Sequence, residues 1–157
     1  MMSVMLDRHD LSDLFENGRL VSFSEDPREH VPKIGSMIYT VWDKHGRFIY
    51  VGICGIQKHP KDRNPLSRIL SHASGRRSGD QFCIYVHDFF VIPELYKSRK
   101  YEPSKGALDQ RTKQYIHSHL FYRFLSLTTP DSDIVVRKLE KKIRAGKLGM
   151  KPFLNPL

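Results

Sequence analysis

The sequence predicts a small α+β protein in which strands and helices are mixed along a chain of 157 residues. Two β-branched and aromatic segments flank a short polar link, helix start and stop signals recur further along, and no internal repeat or low-complexity segment is present. A hydrophobic content of 39% can bury one modest core. We therefore expect a single compact domain, with residues 1–35 as an N-terminal arm and residues 36–157 as its main part.

The N-terminal half contains the clearest local signals. A short helix over residues 10–17 ends at Gly18, and two strands over 36–42 and 47–53 form a hairpin across a link containing Asp43 and Gly46. Asn64 followed by Pro65 predicts the start of a helix over 65–74, which Gly75 ends.

The C-terminal half has weaker signals for where its helices and strands begin and end. We expect a strand over 82–91, a polar lysine-rich loop over 96–106, a helix over 107–119, a strand over 121–128 and a helix over 132–145. Asp131 or Ser132 caps the last helix and Gly146 ends it, and the apolar tail over 151–157 is expected to dock on the body.

Charge and composition limit the class of partner. The net charge is +9 and the isoelectric point is near 9.7, so the surface attracts polyanions such as nucleic acid or anionic membrane. No apolar run approaches the ~20 residues of a membrane span, and the first ten residues lack a signal-peptide core. Cys54 and Cys83 are not in a metal-ligand spacing. We expect a cytoplasmic protein with two reduced thiols, Cys83 being buried, and no membrane partner.

Arg68 and His72 lie four residues apart, on one face of the predicted helix. Arginine can donate two parallel hydrogen bonds to a phosphate, and histidine can change protonation near neutral pH. The pair alone fits a solvated arginine beside a packed histidine better. Tyr39 and Tyr50 likewise suit ordinary strand packing, because a phenol with a pKa near 10 acts as a base only with help from a cation or a metal.

Glu140 lies beside an apolar stripe on the last helix and is surrounded by basic residues. It can form helix salt bridges with Lys141 or Arg144, or it can be a one-carboxylate magnesium site completed by water and substrate phosphate. Spacing leaves both alternatives open. Other basic residues are grouped as a phosphate-binding surface requires. Any one of them can instead be a charge that only keeps the protein soluble. These residues are Arg76, Arg77, Lys97, Arg99, Lys100, Lys141 and Arg144.

The order of these parts resembles the GIY-YIG nuclease superfamily over roughly residues 36–156. Met37-Ile38-Tyr39 corresponds to its first motif and Tyr50-Val51-Gly52 to its second, followed by Arg68, Glu140 and Asn155. The spacing of Arg68 and His72 resembles the restriction-endonuclease branch. Met37 replaces the glycine of the first motif and Val51 the isoleucine of the second; the methionine changes backbone freedom and bulk where the strand begins.

The resemblance implies a small mixed, largely antiparallel sheet flanked by helices, with a one-metal site for Mg²⁺ or Mn²⁺ held by Glu140. Tyr39 would accept a proton from the attacking water or orient it, and Arg68 would stabilise phosphate charge. Tyr50 would bind phosphate or water, and His72 would assist proton transfer. Asn155 would tie the tail to the site, hold a metal-bound water, or simply form a structural turn.

The expected function is a metal-dependent endonuclease that hydrolyses DNA through a tyrosine-activated water. The alternative is a catalytically inactive nucleic-acid-binding module of the same fold, which Met37 motivates. DNA is the expected partner, with RNA and a homo-oligomer left open.

Overall fold

The computed structural model describes residues 8–55, 64–99 and 104–156. Its centre is a four-stranded sheet in the order β1-β4-β2-β3, in which every pairing is antiparallel. The strands are β1 (Val21–Ser22), β2 (Ser36–Asp43), β3 (Phe48–Cys54) and β4 (Leu120–Leu127). Helices cover the sheet, which confirms the predicted α+β class.

The predicted helices over 10–17, 65–74, 107–119 and 132–145 are all present, with ends shifted by at most two residues. The helices are α1 (Arg8–Phe15), α2 (Pro65–Ala73), α3 (Gln81–Val86), α4 (Ile92–Ser98), α5 (Lys105–His119) and α6 (Ser132–Arg144). A 3₁₀ turn (Pro27–Glu29) follows β1, and a π turn (His87–Val91) joins α3 to α4.

The two faces of the sheet carry separate apolar cores, because alternate strand residues point to opposite faces. Tyr39 and Val41 pack on one face with residues of α2, α3 and α5, such as Ile69, Phe82 and Ile116. On the other face, strand residues such as Ile38 and Trp42 pack with Leu14 of α1 and with Val136, Leu139 and Ile143 of α6. The helix with Arg68 and the helix with Glu140 therefore lie on opposite sides of the sheet.

The predicted strand over residues 82–91 is wrong, because this segment is helical. Its aromatic and β-branched residues favour a strand on propensity, and tertiary packing overrides that preference. Phe82 and Val86 are buried four residues apart, on one face of the helix, and Asp80 caps the first turn by accepting a hydrogen bond from the Cys83 amide at 3.1 Å. Cys83 is fully buried, as predicted.

The polar loop predicted over 96–106 is shorter than expected. Helix α4 continues to Ser98 and α5 begins at Lys105, while residues 100–103 lie outside the described part of the chain. The prediction that the tail docks is confirmed: the amides of Phe153 and Leu154 donate to the carbonyls of Phe48 and Ile49 at 3.1 and 2.8 Å. Among the described residues, no helix has the length and apolarity to span a membrane.

Candidate active site

The hairpin places the two motif tyrosines side by side. Tyr39 lies opposite Gly52 and Tyr50 opposite Val41, so both side chains share the face that α2 covers. Their ring centroids are 6.3 Å apart. A Cβ on Gly52 would overlap the hydroxyl and the ring of Tyr39, so glycine at this position is what lets the phenol lie across β3.

Helix α2 brings Arg68 and His72 to the tyrosines. Its first turn is held by Asn64, whose side chain accepts a hydrogen bond from the Ser67 amide at 2.8 Å, as predicted from the sequence. His72 is fully buried, and its Nε2 lies 2.6 Å from the Tyr39 hydroxyl. Because its Nδ1 is bonded to Asp80, both ring nitrogens are used inside the protein, and His72 can act on Tyr39 more readily than on a phosphate.

Asp80 is the site residue that the sequence analysis missed. Its carboxylate lies 2.8 Å (Oδ2) and 3.0 Å (Oδ1) from His72 Nδ1, and it is buried with the histidine. A sequence signal existed, since aspartate directly before an apolar helix is a typical N-cap. It was hidden because the segment from Phe82 onward favours a strand, in which no cap is needed.

Burial and the Arg68 charge shift the pKa values of the two tyrosines in opposite directions. Burial raises the pKa of Tyr39 well above its usual value, while the nearby Arg68 guanidinium lowers it. Burial also raises the pKa of Tyr50 to about 12, again against the effect of Arg68. Within the described chain, Arg68 Nε is buried and has no hydrogen-bond partner, so the guanidinium keeps a donor for a further acceptor.

Glu140 lies on the helix that packs on the other side of the sheet, and its charge contributes to the raised pKa of Tyr50. The carboxylate is half-buried, and burial raises its pKa while Arg144 and Arg137 lower it. Its side chain makes no hydrogen bond or ion pair within the described residues, although basic residues lie one turn away on both sides. The salt-bridge alternative left open by the spacing is therefore not what the structure shows.

Asn155 fastens the tail to β3. Its buried side chain accepts from the Val51 amide at 3.1 Å and donates to the Val51 carbonyl at 2.6 Å. Arg144 Nε donates to the Asn155 carbonyl at 3.2 Å, which links α6 to the same segment. Of the roles expected for Asn155, this geometry supports the one that ties the tail beside Tyr50.

Some of the basic residues predicted to bind phosphate are bonded within the protein, and others are exposed. Arg77 forms an ion pair with Asp109 at 2.7 Å, and Arg144 is bonded to the tail, so neither guanidinium is entirely available to a ligand. Arg76, Lys97, Arg99 and Lys141 are exposed, and Lys100 lies outside the described residues. The exposed face of α6 adds Arg137, Lys138 and Lys142, which the sequence analysis did not single out individually.

No cluster of three or more metal-ligating side chains occurs in residues 8–55, 64–99 and 104–156. A one-carboxylate site is of a different kind, because magnesium keeps several waters and bonds substrate phosphate. Comparison of the chain with protein-family models, curated proteins and solved structures returned no match.

Proposed function

We propose that this protein is a metal-dependent endonuclease that hydrolyses DNA phosphodiester bonds by GIY-YIG-type chemistry. The observation that carries the proposal is the environment of the Tyr39 hydroxyl, which lies 2.6 Å from a histidine nitrogen and close to an arginine guanidinium. A phenol needs both partners to act as a base near neutral pH: a group that receives its proton and a cation that stabilises the resulting phenolate.

The chemistry follows from these contacts. As a water oxygen attacks phosphorus, the water proton passes to the Tyr39 oxygen and the phenol proton passes to His72 Nε2. Negative charge that develops on the phosphate oxygens is stabilised by Arg68, and the leaving oxygen departs as the bond to phosphorus breaks. Tyr39 has no exposed surface, so we expect substrate to approach from the side of Arg68, which is only half-buried, and of Tyr50.

Glu140 fits the role of metal ligand. Within the described chain the half-buried Glu140 carboxylate makes no ion pair. Arg144 and Arg137 offset its charge only in part, since its pKa stays raised, and a divalent cation would add compensation. When bound, the cation would add positive charge near the leaving oxygen. Both this carboxylate and Arg68 influence the pKa of Tyr50: Arg68 lowers it and Glu140 raises it.

The exposed cations support DNA as the substrate. The net charge of +9 and the exposed basic residues of α6 favour a polyanion, and each neutralised phosphate releases counterions. The basic surface gives no reason to separate DNA from RNA, so the choice of DNA derives from the resemblance to GIY-YIG nucleases.

The complete burial of Tyr39 and His72 favours a second candidate function, an inactive nucleic-acid-binding module. A satisfied buried polar network can serve the fold alone. Met37, which replaces the motif glycine, is also fully buried and packs in the same core as Tyr39. Such a module would bind nucleic acid with strong salt dependence and would not cleave it.

The test incubates the protein with supercoiled plasmid, and separately with single-stranded RNA, in magnesium, in manganese and in chelator. We expect metal-dependent cleavage, which Glu140→Gln reduces by about 10²-fold or more, as expected when transition-state charge loses its stabilising group. Glu94→Gln, at an exposed position of α4, is the matched control and keeps the wild-type rate. Retained DNA binding without metal-dependent cleavage would instead establish the binding module.

A further inference from the structure

Three donors fix the Asp80 carboxylate. His72 Nδ1 lies 2.8 Å from Oδ2 and 3.0 Å from Oδ1, Ser71 Oγ donates to Oδ2 at 2.7 Å, and the Cys83 amide donates to Oδ1 at 3.1 Å. The side chain of Asp80 is 1% exposed. A carboxylate held in this way cannot rotate away from the histidine without breaking a helix cap.

The arrangement determines which nitrogen of His72 carries the proton. Burial opposes ionisation of Asp80, but the hydrogen bond and electrostatic attraction of His72, together with the hydrogen bonds from Ser71 and Cys83, outweigh it and hold its pKa below the usual range. An ionised carboxylate only accepts hydrogen bonds, so Nδ1 must be the protonated nitrogen. Tyr39 keeps its proton because burial raises its pKa, and its hydroxyl therefore donates to the lone pair on Nε2.

We infer that Asp80 is a positioning residue of the proposed nuclease, which holds His72 protonated on Nδ1 so that Nε2 receives the Tyr39 proton. This inference rests on the proposed function. In the transfer the Tyr39 O–H bond breaks and an Nε2–H bond forms, which leaves an imidazolium beside the Asp80 carboxylate, while the Tyr39 oxygen takes the proton of the attacking water. Among the described residues, Tyr50 from β3 and Phe82 from α3 also face the ring, and neither carries charge near neutral pH.

Asp80→Asn tests the inference with little change in shape. The amide oxygen can still cap α3, but its NH₂ group can donate to Nδ1, which favours the tautomer protonated on Nε2. We expect the cleavage rate to fall by about 10²–10⁴-fold, the range for loss of acid–base catalysis, with unchanged DNA affinity. Ser71→Ala removes one donor to Asp80 and leaves its contact with His72. We therefore expect Ser71→Ala to lower the cleavage rate less than Asp80→Asn does. A folded Asp80→Asn protein that cleaves at the wild-type rate would overturn the inference.

A second readout does not depend on cleavage. Nitrogen NMR of the full-length protein labelled at histidine, with His72→Gln to identify the resonances, reports the tautomer directly. We expect protonated Nδ1 and unprotonated Nε2 in the wild type, and the reverse in Asp80→Asn. Protonated Nε2 with unprotonated Nδ1 in the wild type would overturn the inference even in an active nuclease. The expected tautomer in a protein that never cleaves nucleic acid would overturn the proposed function while leaving the hydrogen-bonding role of Asp80 in place.

Discussion

Gly52 shows how one small residue controls the candidate site. The Tyr39 ring lies over the Gly52 backbone, where any Cβ would overlap the hydroxyl that meets His72. The backbone of Gly52 is extended like the rest of β3, so the absence of a side chain, and not conformational freedom, is what matters here. A glycine at position 52 is therefore a condition for the position of Tyr39.

Gly52→Ala is predicted to destabilise the protein by about 1–3 kcal/mol, the cost of overpacking a filled core, because the Tyr39 ring must move. Denaturant unfolding measures the loss. Gly106→Ala is the matched control: a Cβ there meets nothing within 4 Å, and alanine favours the helix. Equal free energies of unfolding for Gly52→Ala and Gly106→Ala would contradict the packing described.

Asp80 gives a pH dependence whose sign follows from its lowered pKa. The carboxyl ionises more readily in the folded chain than at the ordinary value of about 3.9, so protons favour the unfolded state in acid. The stability that Asp80 contributes is present above that value and is lost as the pH falls through the lower, folded pKa. The difference in free energy of unfolding between wild type and Asp80→Asn should therefore shrink from pH 7 to pH 3. A difference that grows in acid would show that the carboxyl is not stabilised in its ionised form.

Helix α2 is the element on which the candidate site most depends. Nine residues deliver Arg68 and His72 to Tyr39, while Leu66 and Ile69 anchor the helix in the core. So short a helix is marginal alone, and it relies on this packing and on its Asn64 cap.

Asn64→Ala is predicted to lower the free energy of unfolding by about 1 kcal/mol, because the helix loses its cap. It should also slow DNA cleavage, because α2 positions two site residues. Ser104→Ala removes the corresponding cap of α5, where Ser104 accepts from the Ala107 amide at 3.2 Å. Ser104→Ala should lower the free energy of unfolding by a similar amount and leave the rate of DNA cleavage unchanged. Cleavage that falls equally in both variants would mean that the effect comes from stability alone.

The elements that the sequence predicts well are those with local signals. The hairpin has its turn glycine, α2 has its Asn64 cap, and α6 has clear periodicity, and these signals do not depend on the rest of the fold. The cap predicted for α6 is not made, because the Asp131 side chain forms no cap hydrogen bond. Residues 82–91 lack such a signal, because an apolar aromatic run suits both a buried strand and a buried helix. The error also hid Asp80, whose role depends on α3 being helical. The contact of Asn155 with Val51, 104 residues away, is likewise a property of the folded chain.

The whole molecule brings residues from both faces of one sheet to its β3 edge. Tyr39, Arg68 and His72 lie on one face, α6 packs on the other, and the tail runs along β3, the edge strand. The order of these residues can be read from the sequence, but only the folded chain shows that the Glu140 charge acts on Tyr50 and that, among the described residues, its carboxylate makes no ion pair. The cation proposed at Glu140 would add to the partial compensation that Arg144 and Arg137 provide.

We propose that the Tyr39 hydroxyl takes part in hydrolysis, and a pair of matched substitutions tests this claim. Tyr39 and Tyr122 are both fully buried, but Tyr122 has no hydrogen-bond partner for its hydroxyl within the described chain. The measurement is the rate of supercoiled-plasmid cleavage in magnesium by Tyr39→Phe and Tyr122→Phe. We predict a loss of about 10²–10⁴-fold for Tyr39→Phe and the wild-type rate for Tyr122→Phe. Equal, undiminished rates in the two variants would contradict the claim.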